Sequence, residues 1–139
     1  MPKKINQIHS ILWKEARKAR EKAYAPYSRF TVGAAIQVSD NEIFSAANVE
    51  NASYGATICA ERSAAVKAVS EGYKKFLRVA IVASADGKSV PPCGMCLQVL
   101  AEFCDPQSEI ILASPKRIEF VYTLVDLLPS MFSKLHLHK

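Results

Sequence analysis

Apolar positions along this chain change period several times, and each change marks an element. Ile5, Ile8, Leu12, Ala16, Ala19 and Ala23 recur every three or four residues, which predicts one helix with a single inward stripe. Lys14, Arg17, Lys18 and Glu21 fall mostly outside that stripe, and Ala25-Pro26-Tyr27-Ser28 ends it. Phe30, Val32, Ala34, Ile36 and Val38 then alternate, as a strand does. Ser39-Asp40-Asn41 turns the chain into a second short strand, Ile43 to Ala47. A helix rich in alanine and valine opens near Thr57 and closes at Gly72. Leu77 to Ala83 is a continuous apolar run, the mark of a strand buried on both faces. Asp86-Gly87-Lys88 reads as a loop, and a third helix opens at Cys93 with Leu97, Leu100 and Ala101 inward. Glu109 to Ala113 and Glu119 to Thr123 predict two further strands, and Leu127 to Leu137 a short last helix. Helices between strands give an α/β class, a central sheet covered by helices. The connection from the third strand through the third helix to the fourth is expected to be a right-handed parallel crossover.

The chain has 139 residues, half of them hydrophobic, which is the size of one domain with a full core. Residues 1–139 are therefore read as one domain without repeats or linkers. No apolar run reaches the ~18 residues of a membrane span, and Met1-Pro2-Lys3-Lys4-Ile5 leads into a charged segment that lacks a signal-peptide core. A cytoplasmic protein is expected. The net charge of +5 gathers largely at Lys14 to Lys22 and Lys134 to Lys139. A basic patch can serve nucleic acid, but the interleaved Glu15 and Glu21 favour a solvated helix face, so neither nucleic acid nor membrane is expected as a partner. His136 and His138 read as tail residues.

Four cysteines in such a chain argue for metal or catalysis before disulfides. Cys59-Ala60-Glu61 is followed about thirty residues later by Pro92-Cys93-Gly94-Met95-Cys96. Three thiolates can hold one zinc ion and leave the fourth position open for water, as catalytic zinc sites do. Zinc-dependent base deaminases use this arrangement, with a glutamate that is not a ligand as the proton carrier. Both cysteine groups fall at expected helix starts, whose partial positive charge offsets the excess charge of three thiolates. Glu61 is suited to shuttle protons, from the water to a ring nitrogen and then toward a leaving amine. Arg62 either donates to a ligand sulfur or is a plain surface arginine. Cys104 lies eight residues beyond Cys96, about 12 Å along a helix, too far to be a fourth ligand, and reads as a small buried residue. Cys93-Gly94-Met95-Cys96 alone also fits a redox motif, but the third cysteine with its glutamate makes zinc the better account.

With these motifs in view, the chain resembles a cytidine deaminase of the small, homotetrameric, zinc-dependent type. Phe30-Thr31-Val32-Gly33-Ala34-Ala35 is similar to that family's first-strand motif, and Asn48-Val49-Glu50-Asn51-Ala52-Ser53-Tyr54-Gly55 to its ribose-reading segment. Cys59-Ala60-Glu61-Arg62 and Pro92-Cys93-Gly94-Met95-Cys96 resemble its zinc motifs, and Leu127-Leu128-Pro129-Ser130-Met131-Phe132 its C-terminal signature. The resemblance implies a three-layer α-β-α sandwich with a mixed five-stranded sheet. It implies one Zn²⁺ per chain on Cys59, Cys93 and Cys96, with Glu61 catalytic. It also implies that Asn48 and Glu50 bond ribose hydroxyls, with Tyr54 in the same segment. Phe30 would pack on base or sugar, and backbone near Ala60 would meet the pyrimidine edge. Phe132 would stack on a pyrimidine held by a neighbouring subunit of a homotetramer with shared sites. Without the resemblance, Phe30 and Phe132 read as core. Leu97 stands where the family usually has arginine, and Met131 where a small residue is common.

The activity implied is hydrolysis of cytidine and deoxycytidine to uridine and deoxyuridine, with release of ammonia, in pyrimidine salvage. Its rivals are a deaminase of a cytosine nucleoside antibiotic of the blasticidin-S type, a polynucleotide-editing deaminase, and a non-catalytic zinc-binding module. The Asn48-x-Glu50 pair favours an ordinary nucleoside over the first. Cysteine rather than histidine at position 59 disfavours the second, and Glu61 the third.

Overall fold

The computed structural model describes residues 3–137. Five strands form one sheet: β1 (Gly33–Ser39), β2 (Glu42–Ala47), β3 (Phe76–Val82), β4 (Cys104–Ala113) and β5 (Ile118–Thr123), in the order β2-β1-β3-β4-β5. β3 and β4 pair in parallel, and every other neighbour is antiparallel, so the sheet is mixed. Four α-helices accompany it: α1 (Gln7–Arg20), α2 (Ala60–Ser70), α3 (Gly94–Phe103) and the single turn α4 (Leu124–Leu127). None of the described helices is long and apolar enough to cross a membrane.

The period-two alternation of the strands divides the core between two faces. Ala34, Ile36, Val79, Ile81, Ile110 and Leu112 turn toward α2 and α3, where Ala60, Ala64, Ala68, Leu97 and Leu100 meet them. Ala35, Ala80, Val82, Ile111 and Ala113 turn the other way, onto Leu12 and Ala16 of α1. This is the three-layer α-β-α sandwich expected from the motifs. Lys14, Arg17 and Lys18 of α1 are exposed, and the Arg17 guanidinium sits 4.2 Å from the centre of the Trp13 ring.

Several boundaries differ from the sequence reading, each for a local reason. α1 is shorter than its apolar stripe, because Asn6 caps it and Glu21 ends it, so Ile5 and Ala23 fall outside. The first strand starts at Gly33 rather than Phe30, since residues 30–32 are tied instead to Asn48. β4 begins at Cys104, five residues before Glu109, where α3 gives way directly to extended backbone. The expected helix from Leu127 to Leu137 does not form. Pro129 disfavours helical backbone in the residue before it, and Leu128 takes φ −138° and ψ 70°. Among the described residues, only a 3₁₀ turn, Lys134–His136, follows. His136 stacks on Phe132 with ring centres 5.3 Å apart, while His138 and Lys139 lie outside the described residues.

His9 is a polar residue in the apolar stripe of α1 and is fully buried. Its Nδ1 accepts the Asn6 N–H at 3.0 Å, so Nε2 carries the proton that it donates to Glu109 Oε1 at 2.8 Å. Arg78 Nε donates to the same oxygen at 2.6 Å, and Arg78 Nη1 reaches Gln37 Oε1 at 3.0 Å. This network joins α1, β1, β3 and β4. Burial raises the Glu109 pKa, but the hydrogen bonds from His9 and Arg78 outweigh it and hold the carboxyl below its ordinary range. A depressed carboxyl contributes stability above the unfolded-state pKa of about 4.3, and that contribution is lost as pH falls through the folded value. In acid titrations followed by circular dichroism, Glu109→Gln is expected to be less stable than wild type at pH 7. The difference is expected to shrink below about pH 4.

Candidate active site

The thiols converge because two helices begin at them. Cys59 is the N-cap of α2 and Cys93 the N-cap of α3, both in extended backbone, and Cys96 lies in the first turn of α3. The Sγ atoms of Cys59, Cys93 and Cys96 all lie within 4.8 Å of one another, with Cys93 and Cys96 3.6 Å apart. Tetrahedral zinc with bonds of about 2.3 Å sets its sulfurs about 3.8 Å apart, so this donor set fits the ion in number, chemistry and spacing. Cys104 is not part of the cluster. It is half-buried at the start of β4, and burial pushes its thiol up to about 12.

The thiols of Cys93 and Cys96 are shifted in opposite directions. The backbone N–H of Cys96 draws the Cys93 thiol down, and burial followed by the charge of Glu61 pushes the Cys96 thiol up. A bound dication reverses that balance and deprotonates a coordinating thiol. Arg62 Nη2 reaches Cys59 Sγ at 3.8 Å and Thr57 O at 3.3 Å, so Arg62 is not the plain surface residue of the alternative reading. Its Nε is buried without a hydrogen-bond partner. Leu97, which stands where the family usually has arginine, is buried in the core as expected of an inward residue of α3, and Met131 packs against the edge of that core.

Glu61 stands in the first turn of α2 and is only 5% exposed. Burial raises its pKa, against the pull of backbone hydrogen bonding and the Arg62 charge. A raised pKa makes a carboxylate a better proton acceptor. Beside it opens a cleft of about 310 Å³ lined by Phe30, Val32, Ile81, Ala83, Val90 and Pro91, and by Cys59, Ala60, Glu61, Cys93 and Cys96. Asn48 and Glu50 line the same cleft.

Asn48 is 7% exposed, and its amide is already engaged. Nδ2 donates to Phe30 O at 2.8 Å, and Oδ1 accepts Val32 N–H at 2.9 Å. One amide hydrogen remains for a ligand. Val49 bridges Ile58 and Tyr24, and this places Asn48 and Glu50 on the same side of a short extended segment, as expected from their spacing. Glu50 Oε1 accepts the N–H groups of Tyr27 and Ser28 at 3.0 and 3.1 Å, and Oε2 accepts the Ser28 hydroxyl. Ser28 and Tyr27 were legible only as a helix breaker, since nothing in a Pro-Tyr-Ser turn announces a carboxylate partner far along the chain.

Three residues lie differently from the rest. Phe30 is exposed and lines the cleft, so the core reading of it fails. Tyr54 is 75% exposed and lines a neighbouring recess with Tyr27, Ser28, Glu50 and Thr57, its ring 5.9 Å from that of Tyr27. Phe132 is 54% exposed, neither core nor part of the lining of the cleft of its own chain.

Known proteins resemble this chain over most of its length. The pattern of the cytidine and deoxycytidylate deaminase zinc-binding region matches residues 6–112. A cytidine deaminase of Sporosarcina psychrophila is 48% identical over 120 residues, covering 86% of this chain and 88% of that one. A cytidine deaminase of Halalkalibacterium halodurans is 47% identical over 123 residues, covering 88% of this chain and 92% of that one. The crystal structure of a cytidine deaminase from Burkholderia pseudomallei superposes with a TM-score of 0.83 at 44% identity, over 89% of this chain and 98% of that one. The chain therefore belongs to the cytidine and deoxycytidylate deaminase zinc-binding family.

Proposed function

We propose that residues 1–139 form one deaminase domain that hydrolyses cytidine and deoxycytidine to uridine and deoxyuridine with release of ammonia. The observation that carries this reading is one cleft lined both by a buried glutamate beside three converging thiols and by an amide and a carboxylate. Cys59, Cys93 and Cys96 would hold one zinc ion, which supplies the acidity that lets water react at neutral pH. Glu61 would accept one proton of that water, deliver it to the pyrimidine ring nitrogen, and then relay the remaining proton, from the hydroxyl newly bound to the ring carbon, to the amine as the C–N bond breaks and ammonia leaves. Phe30 packs against base or sugar, and the backbone at Ala60 meets the pyrimidine edge. Asn48 and Glu50 bond ribose hydroxyls, with Tyr54 beside them in the adjoining recess. Arg62 stabilises the Cys59 thiolate.

A site built to bond hydroxyls discriminates against a ligand that lacks them, because its own buried groups stay unpaired. Cytidine is therefore expected to be used at least ~100-fold better than free cytosine, and Glu50→Ala to shrink that gap. Equal turnover of the two by wild type would show that Asn48 and Glu50 serve something else. The same pair favours a nucleoside over an antibiotic bearing a different sugar.

The assembly proposed is a homotetramer with shared sites, supported by the exposed aromatic side chains of Tyr24, Tyr27, Tyr54 and Phe132. There Phe132 would close a neighbour's cleft over the base, worth about 1 kcal/mol beyond its area. A fully active monomer in sedimentation at assay concentration would remove this. Neither nucleic acid nor membrane is a proposed partner. Three reduced thiols suit a reducing compartment, so the proposed place of work is the cytoplasm, in pyrimidine salvage. Fractionation that recovers the protein outside the cytoplasm would contradict it.

A further inference from the structure

The carboxylate of Glu50 is not free to choose its orientation. Tyr27 N–H and Ser28 N–H both donate to Oε1, and the Ser28 hydroxyl donates to Oε2. The direction of that hydroxyl is settled by its neighbour, since Phe30 N–H donates to Ser28 Oγ at 3.0 Å and leaves the serine hydrogen for Glu50. The turn that presents these donors contains Arg29 at φ 61°, a left-handed conformation that a non-glycine residue adopts only when its surroundings hold it there. Arg29 N–H donates to Ala25 O at 2.9 Å and fixes it.

The same short segment also holds Asn48. Phe30 gives its N–H to Ser28, and its carbonyl accepts the Asn48 amide. Ser28, Phe30, Asn48 and Glu50 thus make one connected chain of hydrogen bonds along the wall of the cleft, and all four residues line it. Of about four acceptor positions on the Glu50 carboxylate, three are taken. The position left belongs to Oε2.

We propose that Ser28 is a positioning residue for sugar recognition: its hydroxyl, with the N–H groups of Tyr27 and Ser28, locks Glu50 so that one Oε2 lone pair faces a single ribose hydroxyl. This rests on the nucleoside reading of the cleft and goes beyond it by assigning Ser28. The Ser28 hydroxyl bond is also the largest cause of the lowered Glu50 pKa, ahead of opposing desolvation and of the two backbone bonds. It therefore keeps the carboxylate an acceptor only.

The test compares wild type, Ser28→Ala and Ser28→Thr on cytidine and on 2′,3′-dideoxycytidine, which lacks the ring hydroxyls. Ser28→Ala is expected to raise KM for cytidine about tenfold, with kcat changed less than about threefold, as for loss of a hydrogen bond to a charged group. Its kcat/KM on the dideoxynucleoside is expected to stay near the wild-type value. Ser28→Thr keeps a hydroxyl and is expected to recover most of the cytidine KM. Equal losses on both substrates, or a fall in kcat with KM unmoved, would reduce Ser28 to a general structural role and overturn the proposal. Wild-type KM in Ser28→Ala would overturn it too, while leaving the nucleoside reading intact. Wild type that turns over neither nucleoside would instead overturn that reading, and this inference with it.

Discussion

Glu61→Gln is expected to keep its fold and its zinc and to lose nearly all turnover. Glutamine has the same shape, so the buried surroundings of position 61 need not move. What it lacks is a titratable oxygen. Loss of one general acid–base group typically costs ~10²–10⁴-fold in rate, and Glu61 is assigned to three successive proton transfers, so the upper end is expected. No other carboxylate takes its place, because Glu50, the remaining acid lining the cleft, is held by Tyr27 and Ser28. The check is kcat on cytidine together with zinc content and the circular dichroism spectrum of the same preparation. Activity within a few-fold of wild type, with one zinc per chain, would remove Glu61 from the proton path.

Gly33→Ala is expected to be strongly destabilising. A Cβ at Gly33 would lie 2.0 Å from Ala16 O, 2.6 Å from Arg20 N and 2.9 Å from Arg20 Cβ. Two of these are backbone atoms of α1 and cannot rotate away. The helix must lift from β1, and it would take Leu12 and Ala16 out of contact with Ala35, Ala80 and Val82. Overpacking of this kind costs about 1–3 kcal/mol where side chains can adjust, and a clash with backbone belongs at or above the top of that range. The lift also breaks Arg20 Nε–H to Thr31 O, a 3.0 Å bond that steadies the segment carrying Phe30. Both stability in urea and activity are therefore expected to fall. A midpoint within error of wild type would mean that α1 does not sit on β1 as described.

The readable part of this protein was the part that repeats or ligates. Alternation in Ala34, Ile36 and Val38 and the apolar run of β3 fix which face of the sheet each residue meets, because side-chain direction follows directly from strand geometry. Cys59, Cys93 and Cys96 were legible because metal chemistry constrains residue type and spacing together. His9 was not, since a stripe read from apolar residues alone passes over a polar side chain whose partner, Glu109, is a hundred positions away. Ser28 escaped for the same reason, as its hydroxyl meets Glu50 only after the chain has folded back. Phe30 and Phe132 look like core by composition, yet one lines the cleft and the other stands exposed. Asn48 was read as a ligand for sugar, and most of its amide turns out to hold the backbone at Phe30 and Val32. The C-terminal helix failed on one residue, Pro129, whose effect on Leu128 outweighed the apolar spacing around it.

The central claim is that three thiols and Glu61 form a zinc site that deaminates a nucleoside. The most direct test is to strip the protein of metal, reconstitute it with zinc alone, and follow cytidine with simultaneous detection of ammonia and uridine. The expected result is one zinc per chain and equal amounts of ammonia and uridine formed catalytically, with activity absent before zinc is added. Full zinc occupancy with no ammonia from cytidine or deoxycytidine would contradict it.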